Sequence, residues 1–245
     1  MKNYLEKELL VSAAYVDRDC EMGPFHASLL FQDGMTELFH QYGCDAVGMS
    51  QSHGMVWAVV RSKLCYDRIP RWMEQVRLRA FPVKLTTLAV HLDSQVEALD
   101  GTPLVRCRQE LCPIDVANHA MGRLNATPFP QDIELLPPVV TEPFRRRKVV
   151  LEEMELAYRH QVRTMDTDMN SHINNVAYVR LVADAFPSGF WDKHQVKTFD
   201  IQYANEGREG EALEILHRQE GQEHMVFVRA GERTLAKSFL QVQEK

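Results

Sequence analysis

The feature that most constrains this fold is a likeness between the two halves of the chain. Moved by 137 positions, Val59 falls on Val196, Leu64 on Ile201, Tyr66 on Tyr203 and Arg71 on Arg208. The register continues without a gap through Glu74 and Glu211, Val76 and Leu213, and Leu78 and Ile215. It keeps two runs of alternating apolar residues and the turn between them, the signature of paired strands. Met55 to Val60 and Met225 to Val228 read as further, buried strands. Helical spacing interrupts this pattern twice. Phe31, Met35, Leu38, Phe39 and Tyr42 recur on one helical face, with Gly43 placed as a C-terminal cap. Tyr178, Leu181, Val182 and Ala185 form a second stripe that Pro187 stops. The expected class is α+β: one helix followed by an antiparallel sheet that wraps it, used twice.

Between the halves runs a proline-rich stretch, Asn125 to Lys148, with Pro128, Pro130, Pro137, Pro138 and Pro143. Proline at this density cannot pair as sheet interior. The expected organisation is a first unit over 1–124, a linker over 125–148 and a second unit over 149–245. The 245 residues are 45% hydrophobic and 25% charged, a mix that excludes disorder and disulfide-stapled mini-proteins. A net charge of −6 argues against general nucleic-acid binding. No run approaches the roughly 20 apolar residues of a membrane span. Met1 to Val11 resembles neither a secretory signal nor a transit peptide, which favours a bacterial over a plastid setting. Five scattered cysteines, Cys20, Cys44, Cys65, Cys107 and Cys112, suit reduced thiols in a cytoplasmic protein.

One segment carries chemistry. In Asp166-Thr167-Asp168-Met169-Asn170-Ser171-His172-Ile173-Asn174-Asn175, six of ten residues are Asp, Asn or His, just before the second helix. An N-cap explains one or two of them, not six. A calcium loop beginning at Asp166 would need Gly at its sixth position and Glu at its twelfth. Ser171 and Ala177 stand there. Cys107 and Cys112 lack a second thiol pair for zinc, and His217 and His224 lack a third ligand, so no metal or other cofactor is expected. The constructive reading is hydrolysis or acyl transfer. Free N–H groups at a helix start suit an oxyanion. His172 with a carboxylate supplies a base, and Asn170 can donate to a carbonyl. No Gly-x-Ser-x-Gly elbow is present.

The same segment, extended through Val176-x-Tyr178, resembles the Asp-Leu-Asp-Met-Asn-x-His-Val-Asn-Asn-Val-x-Tyr signature of the acyl-acyl-carrier-protein thioesterases. Trp57 to Val60 with Tyr66-Asp67-Arg68-Ile69-Pro70-Arg71-Trp72 is similar to a second block of that family, and the landmarks run from Tyr4 to the C-terminus. A looser form of the motif occurs in related thioesterases that use coenzyme A esters. The resemblance implies a double hotdog fold and hydrolysis of fatty acyl thioesters of acyl carrier protein, in lipid metabolism. It implies catalytic roles for Asp168, Asn170, His172 and a downstream Glu206. Plant members commonly carry Cys where this chain has Gly207, so the implied nucleophile is a water activated by a base. An acyl-CoA thioesterase and a non-catalytic acyl-binding protein are the alternatives.

Under the 137-residue shift Glu206 falls opposite Ile69, and the first helix opens with Phe25-His26-Ala27-Ser28. The first half is therefore expected to lack a counterpart of the site. One site per chain follows, placed at the seam between the halves. The first half is then free to shape an acyl pocket, with Leu30, Met35, Leu38, Phe39 and Trp57 as candidate lining or as plain core. The partner the family implies is acyl carrier protein, which presents the acyl chain on 4′-phosphopantetheine. Arg145-Arg146-Arg147-Lys148 is the densest basic run for docking it, or else a set of partners for Glu152 and Glu153. A homodimer is left open.

Overall fold

The computed structural model of the protein describes residues 2–145, 147 and 150–245. The chain divides into two compact units. One comprises Met1–Met22 and Leu29–Glu142, the other Gly23–Ser28 and Pro143–Lys245.

The first unit contains β1 (Leu5–Leu10), most of α1 (Pro24–Gln41), α2 (Ala46–His53), β2 (Met55–Tyr66), β3 (Gln75–Leu85), β4 (Val90–Ala98), β5 (Pro103–Asp115) and the two-residue β6 (Ala120–Met121). Its strands lie in the order β1-β3-β4-β5-β2, every pair antiparallel, with β6 on β5. The expected helix is present, and it ends as the sequence indicates. Gly43 adopts φ 71°, the Cys44 amide donates to Phe39 O at 2.9 Å and the Gly43 amide to His40 O at 2.9 Å, a Schellman closure. Gly34 lets α1 approach the sheet, since a Cβ there would lie 2.9 Å from Leu78 Cδ2. The sequence reading missed α2, which Asp45 caps through the Gly48 amide at 2.8 Å and Gly54 ends at φ 61°. Met55 to Val60 is strand, but of these six only Val59 is fully buried.

The second unit contains β7 (Glu155–Gln161), α3 (Asn175–Ala183), the short α4 (Phe190–Lys193), β8 (His194–Tyr203), β9 (Ala212–Glu220), β10 (Glu223–Ala230) and β11 (Arg233–Glu244). Its strand order is β7-β9-β10-β11-β8, again all antiparallel. In chain order this is the same topology as the first unit, so the likeness seen in the sequence is a duplication of structure. The turn it predicted repeats atom for atom. The Arg71 amide donates to Glu74 Oε2 at 3.0 Å, and the Arg208 amide to Glu211 Oε2 at 2.7 Å. Asn174 caps α3 through the Val176 amide at 2.9 Å, and Val176, Tyr178, Val179, Leu181 and Val182 turn inward.

The proline-rich stretch forms no long strand, but it is not a loose spacer. Phe129 and Val140 are buried. Asp93, fully buried on β4, takes a bidentate pair from Arg108 at 2.6 and 2.7 Å and also accepts the amides of Val139 at 2.8 Å and Val140 at 3.1 Å. The buried charge is thus fully satisfied, and the stretch is pinned to the first unit as far as Val140.

Candidate active site

The site is built on the loop between β7 and α3. Asp168 folds this loop. Its Oδ1 accepts the Asn170 amide at 2.8 Å and, more weakly, the His172 amide at 3.4 Å. The Asp168 amide donates to His172 O at 2.8 Å and the Ser171 amide to Asp168 O at 3.0 Å. The turn closes only because Ser171 adopts φ 61°, a conformation that costs a side-chain-bearing residue energy. The loop then bridges antiparallel to the segment before β9. His172 pairs with Arg208, and the Ile173 amide donates to Gly207 O at 2.8 Å.

This bridge brings Glu206 to the motif. His172 Nε2 lies 3.1 Å from Glu206 Oε2, with Arg208 Nη2 at 3.9 Å from the same oxygen. The Glu206 side chain is about half exposed and His172 about a quarter, so water reaches the pair. Asn170 is exposed, and its carboxamide makes no hydrogen bond among the described residues. Asp168, Asn170 and His172 thus share one turn, and the bridge brings Glu206 to His172. Asp168 works on the backbone, while His172 and Glu206 pair through their side chains.

Gly207 has no room for a side chain. A Cβ there would lie 2.5 Å from Ile173 Cδ1, 2.8 Å from Leu235 Cδ1 and 2.9 Å from the Tyr178 hydroxyl. Nor do the four buried cysteines suit a nucleophile, and the exposed Cys20 lies in the first unit. Cys44, Cys65, Cys107 and Cys112 are buried; burial pushes the Cys44 thiol up to about 12 and raises those of Cys107 and Cys112. Among the described residues no group of three or more His, Cys, Asp or Glu side chains could hold a metal ion, and no helix is long and apolar enough to cross a membrane.

The first unit carries a copy of this loop's backbone, 151 positions earlier, which the sequence reading did not find. Asp17 Oδ1 accepts the amides of Asp19 at 2.9 Å and Glu21 at 3.1 Å. The Asp17 amide donates to Glu21 O at 2.9 Å, Cys20 adopts φ 60°, Glu21 bridges to Arg71, and the Met22 amide donates to Pro70 O at 2.9 Å. Asp17, Asp19 and Glu21 thus stand where Asp168, Asn170 and His172 stand. The backbone is copied and the Asp-Asn-His set is not. The pattern Asp17-x-Asp19-x-Glu21 was visible in the sequence. It was hidden by the longer α1 and the added α2, which give the loops a different offset from the sheets.

Residues 151–234 match the family model of the acyl-ACP thioesterase C-terminal domain. This stretch, about a third of the chain, is thus similar to the acyl-ACP thioesterase family. His172, Asn170, Asp168 and Glu206 all fall inside the matched stretch. Across 171 residues the chain is 23% identical to a palmitoyl-acyl carrier protein thioesterase of Arabidopsis thaliana, covering 66% of this chain and 41% of that protein. The chain spans about two fifths of the length of this relative. Among solved structures, an acyl-ACP thioesterase from Bacteroides thetaiotaomicron superposes with a TM-score of 0.84 at 15% identity, covering 98% of both chains. A 12:0-ACP thioesterase from Umbellularia californica superposes at 0.82 and 15% identity, covering 100% of this chain and 99% of that one. The fold is the double hotdog.

The other residues named from the sequence lie elsewhere. Leu30, Leu38 and Phe39 are buried, and Met35 is half-buried. Trp57 meets Phe39 edge-on at 4.9 Å, and its indole N–H donates to Cys44 O at 2.8 Å. Leu30, Leu38 and Phe39 thus pack inside the first unit, with Met35 and Trp57 part-buried. Of the basic run, Arg146 and Lys148 lie outside the described residues. Arg145 and Arg147 pair with Glu220 and Glu223 of the β9–β10 hairpin, while Glu153 pairs with Arg218.

Proposed function

We propose that the protein hydrolyses fatty acyl thioesters of acyl carrier protein, releasing free fatty acid and carrier protein, with water as the nucleophile. The observation that carries this is the His172–Glu206 pair at 3.1 Å, on the same turn as the exposed Asn170. Glu206, oriented by His172, accepts a proton from the attacking water. The Asn170 N–H groups donate to the carbonyl oxygen as it gains charge. Collapse of the tetrahedral adduct expels the pantetheine thiolate, which takes up the proton. Asp168 fixes the loop and takes no proton.

Acyl carrier protein is acidic and this chain is itself at −6, so docking needs a local basic surface. The run Arg145–Lys148 is our candidate. Arg145 and Arg147 keep more than 40% of their side chains exposed beside their glutamate partners. An acyl pocket in the first unit, lined from Leu30, Met35, Leu38, Phe39 and Trp57, is part of the same proposal. So is a cytoplasmic place in fatty acid biosynthesis, which the five free thiols suit.

The test is turnover of matched acyl-carrier-protein and acyl-CoA esters across chain lengths. Preference for the carrier-protein esters is expected. Preference for the CoA esters would move the substrate class, and absence of turnover on both would end the enzymatic reading.

A further inference from the structure

Beneath the loop lies a buried carboxylate, held by a partly exposed arginine and histidine, that the mechanism does not use. Asp166 is 3% exposed. Arg180 of α3 donates to its Oδ1. His160 of β7 contributes Nε2 at 2.7 Å from Oδ2, and the Arg163 amide donates to the same oxygen at 2.9 Å. The Asp166 carbonyl accepts the amide of Asn174, the cap of α3, at 2.9 Å. Burial alone would raise this carboxyl, but the Arg163 amide, His160 and Arg180 together hold it below the usual range. One residue thus ties the structure together two positions before Asp168: its side chain holds β7, the loop and the body of α3, and its carbonyl holds the α3 cap.

The first unit supplies an internal control. At the 151-residue offset His160, Asp166 and Arg180 correspond to Leu9, Tyr15 and Leu29. That unit forms the same loop, with the same Asx turn, the same positive φ and the same bridge, without any of the three ions. The loop fold therefore does not require the cluster. Burying charge is costly, and a catalytic loop must hold its groups to within about 0.5 Å. We infer that Asp166, clamped by Arg180 and His160, is a positioning residue that sets the catalytic loop for turnover. This rests on the thioesterase reading above.

The experiment compares Asp166→Asn, Arg180→Leu and Arg180→Lys with wild type. For Asp166→Asn and Arg180→Leu, kcat should fall at least about tenfold while KM stays within about threefold, because loop misplacement acts on the chemical step. Arg180→Lys should recover part of the loss. A second readout is independent of activity. Hydrogen exchange at the amides of Asn170 and His172 should quicken at least about tenfold, while those of Asp19 and Glu21 stay unchanged. Folded variants with kcat within twofold and unchanged exchange would overturn the inference. If Asp166→Asn fails to fold, Arg180→Leu decides by the same criteria. If wild type hydrolyses no acyl thioester, the proposed function fails, while the exchange measurement still reads the clamp.

Discussion

The loops ending at Met22 and at Ile173 have the same backbone and different chemistry. Each is closed by an aspartate that accepts two amides of its own turn, and each carries a residue at φ near 60°. In the first, the remaining side chains are acidic, and Glu21 lies 3.4 Å from Arg71. In the second, an imidazole faces a carboxylate that the first unit replaces with Ile69, and Asn170 stands where the first has Asp19. What both loops share makes the turn, and what only the second has is the set to which we assign the proposed reaction.

The sharpest way to break this comparison is at the carboxylate. Glu206→Ala should lower turnover by at least about a hundredfold, in line with loss of a general base. Glu21→Ala, in the scaffold copy, should leave turnover within about twofold. Equal losses in steady-state assays would mean that both loops take part, and near wild-type turnover in a folded Glu206→Ala would remove it from the mechanism.

A second effect concerns acid. His224 is buried at 1% exposure, with Nδ1 2.9 Å from His217 Nε2 and the Phe186 and Phe190 rings against it. Burial, with His217 and His194 nearby, pushes His224 down to about 4, and burial also lowers His217 despite Glu155. A histidine depressed in the folded state binds its proton more readily in the unfolded chain. Its contribution to stability is complete above the unfolded value of about 6.5 and is lost as pH falls towards about 4. Urea unfolding should therefore show on the order of 2 kcal/mol less stability at the acid end of that window. His224→Phe should flatten the slope; an unchanged slope would place the acid sensitivity elsewhere.

The smallest effect tests the shared part. Asp17→Ala and Asp168→Ala should each cost about 1 kcal/mol in denaturant unfolding, because each strands the amides of one turn. Only Asp168→Ala should also reduce turnover. If Asp168→Ala loses turnover with no stability cost while Asp17→Ala shows one, Asp168 acts on the substrate and the scaffold assignment is wrong.

What the sequence made legible was local or strictly in register. Gly43 closes α1 and Asn174 opens α3 because caps depend on a few adjacent residues. The ungapped shift revealed both sheets. Glu206 was reached only through family resemblance, since nothing near it marks it as a partner of His172. The Asp166 clamp was not legible at all: His160 and Arg180 lie 6 and 14 residues away, on a strand and a helix, and meet only in the fold. The prolines marked a stretch that is not sheet, but its attachment to Asp93, 46 residues upstream of Val139, has no local signal.

That attachment has a consequence for how the protein is made. Phe129 sits among Phe39, Tyr42 and Trp57 at 5.4 to 6.0 Å between ring centres, and Asp93 needs Val139 and Val140 to fill its hydrogen bonds. The first unit therefore cannot complete its core when its last long strand has been synthesised. It must wait until the ribosome has delivered the chain beyond Val140. The first unit therefore locks only after this stretch has left the ribosome.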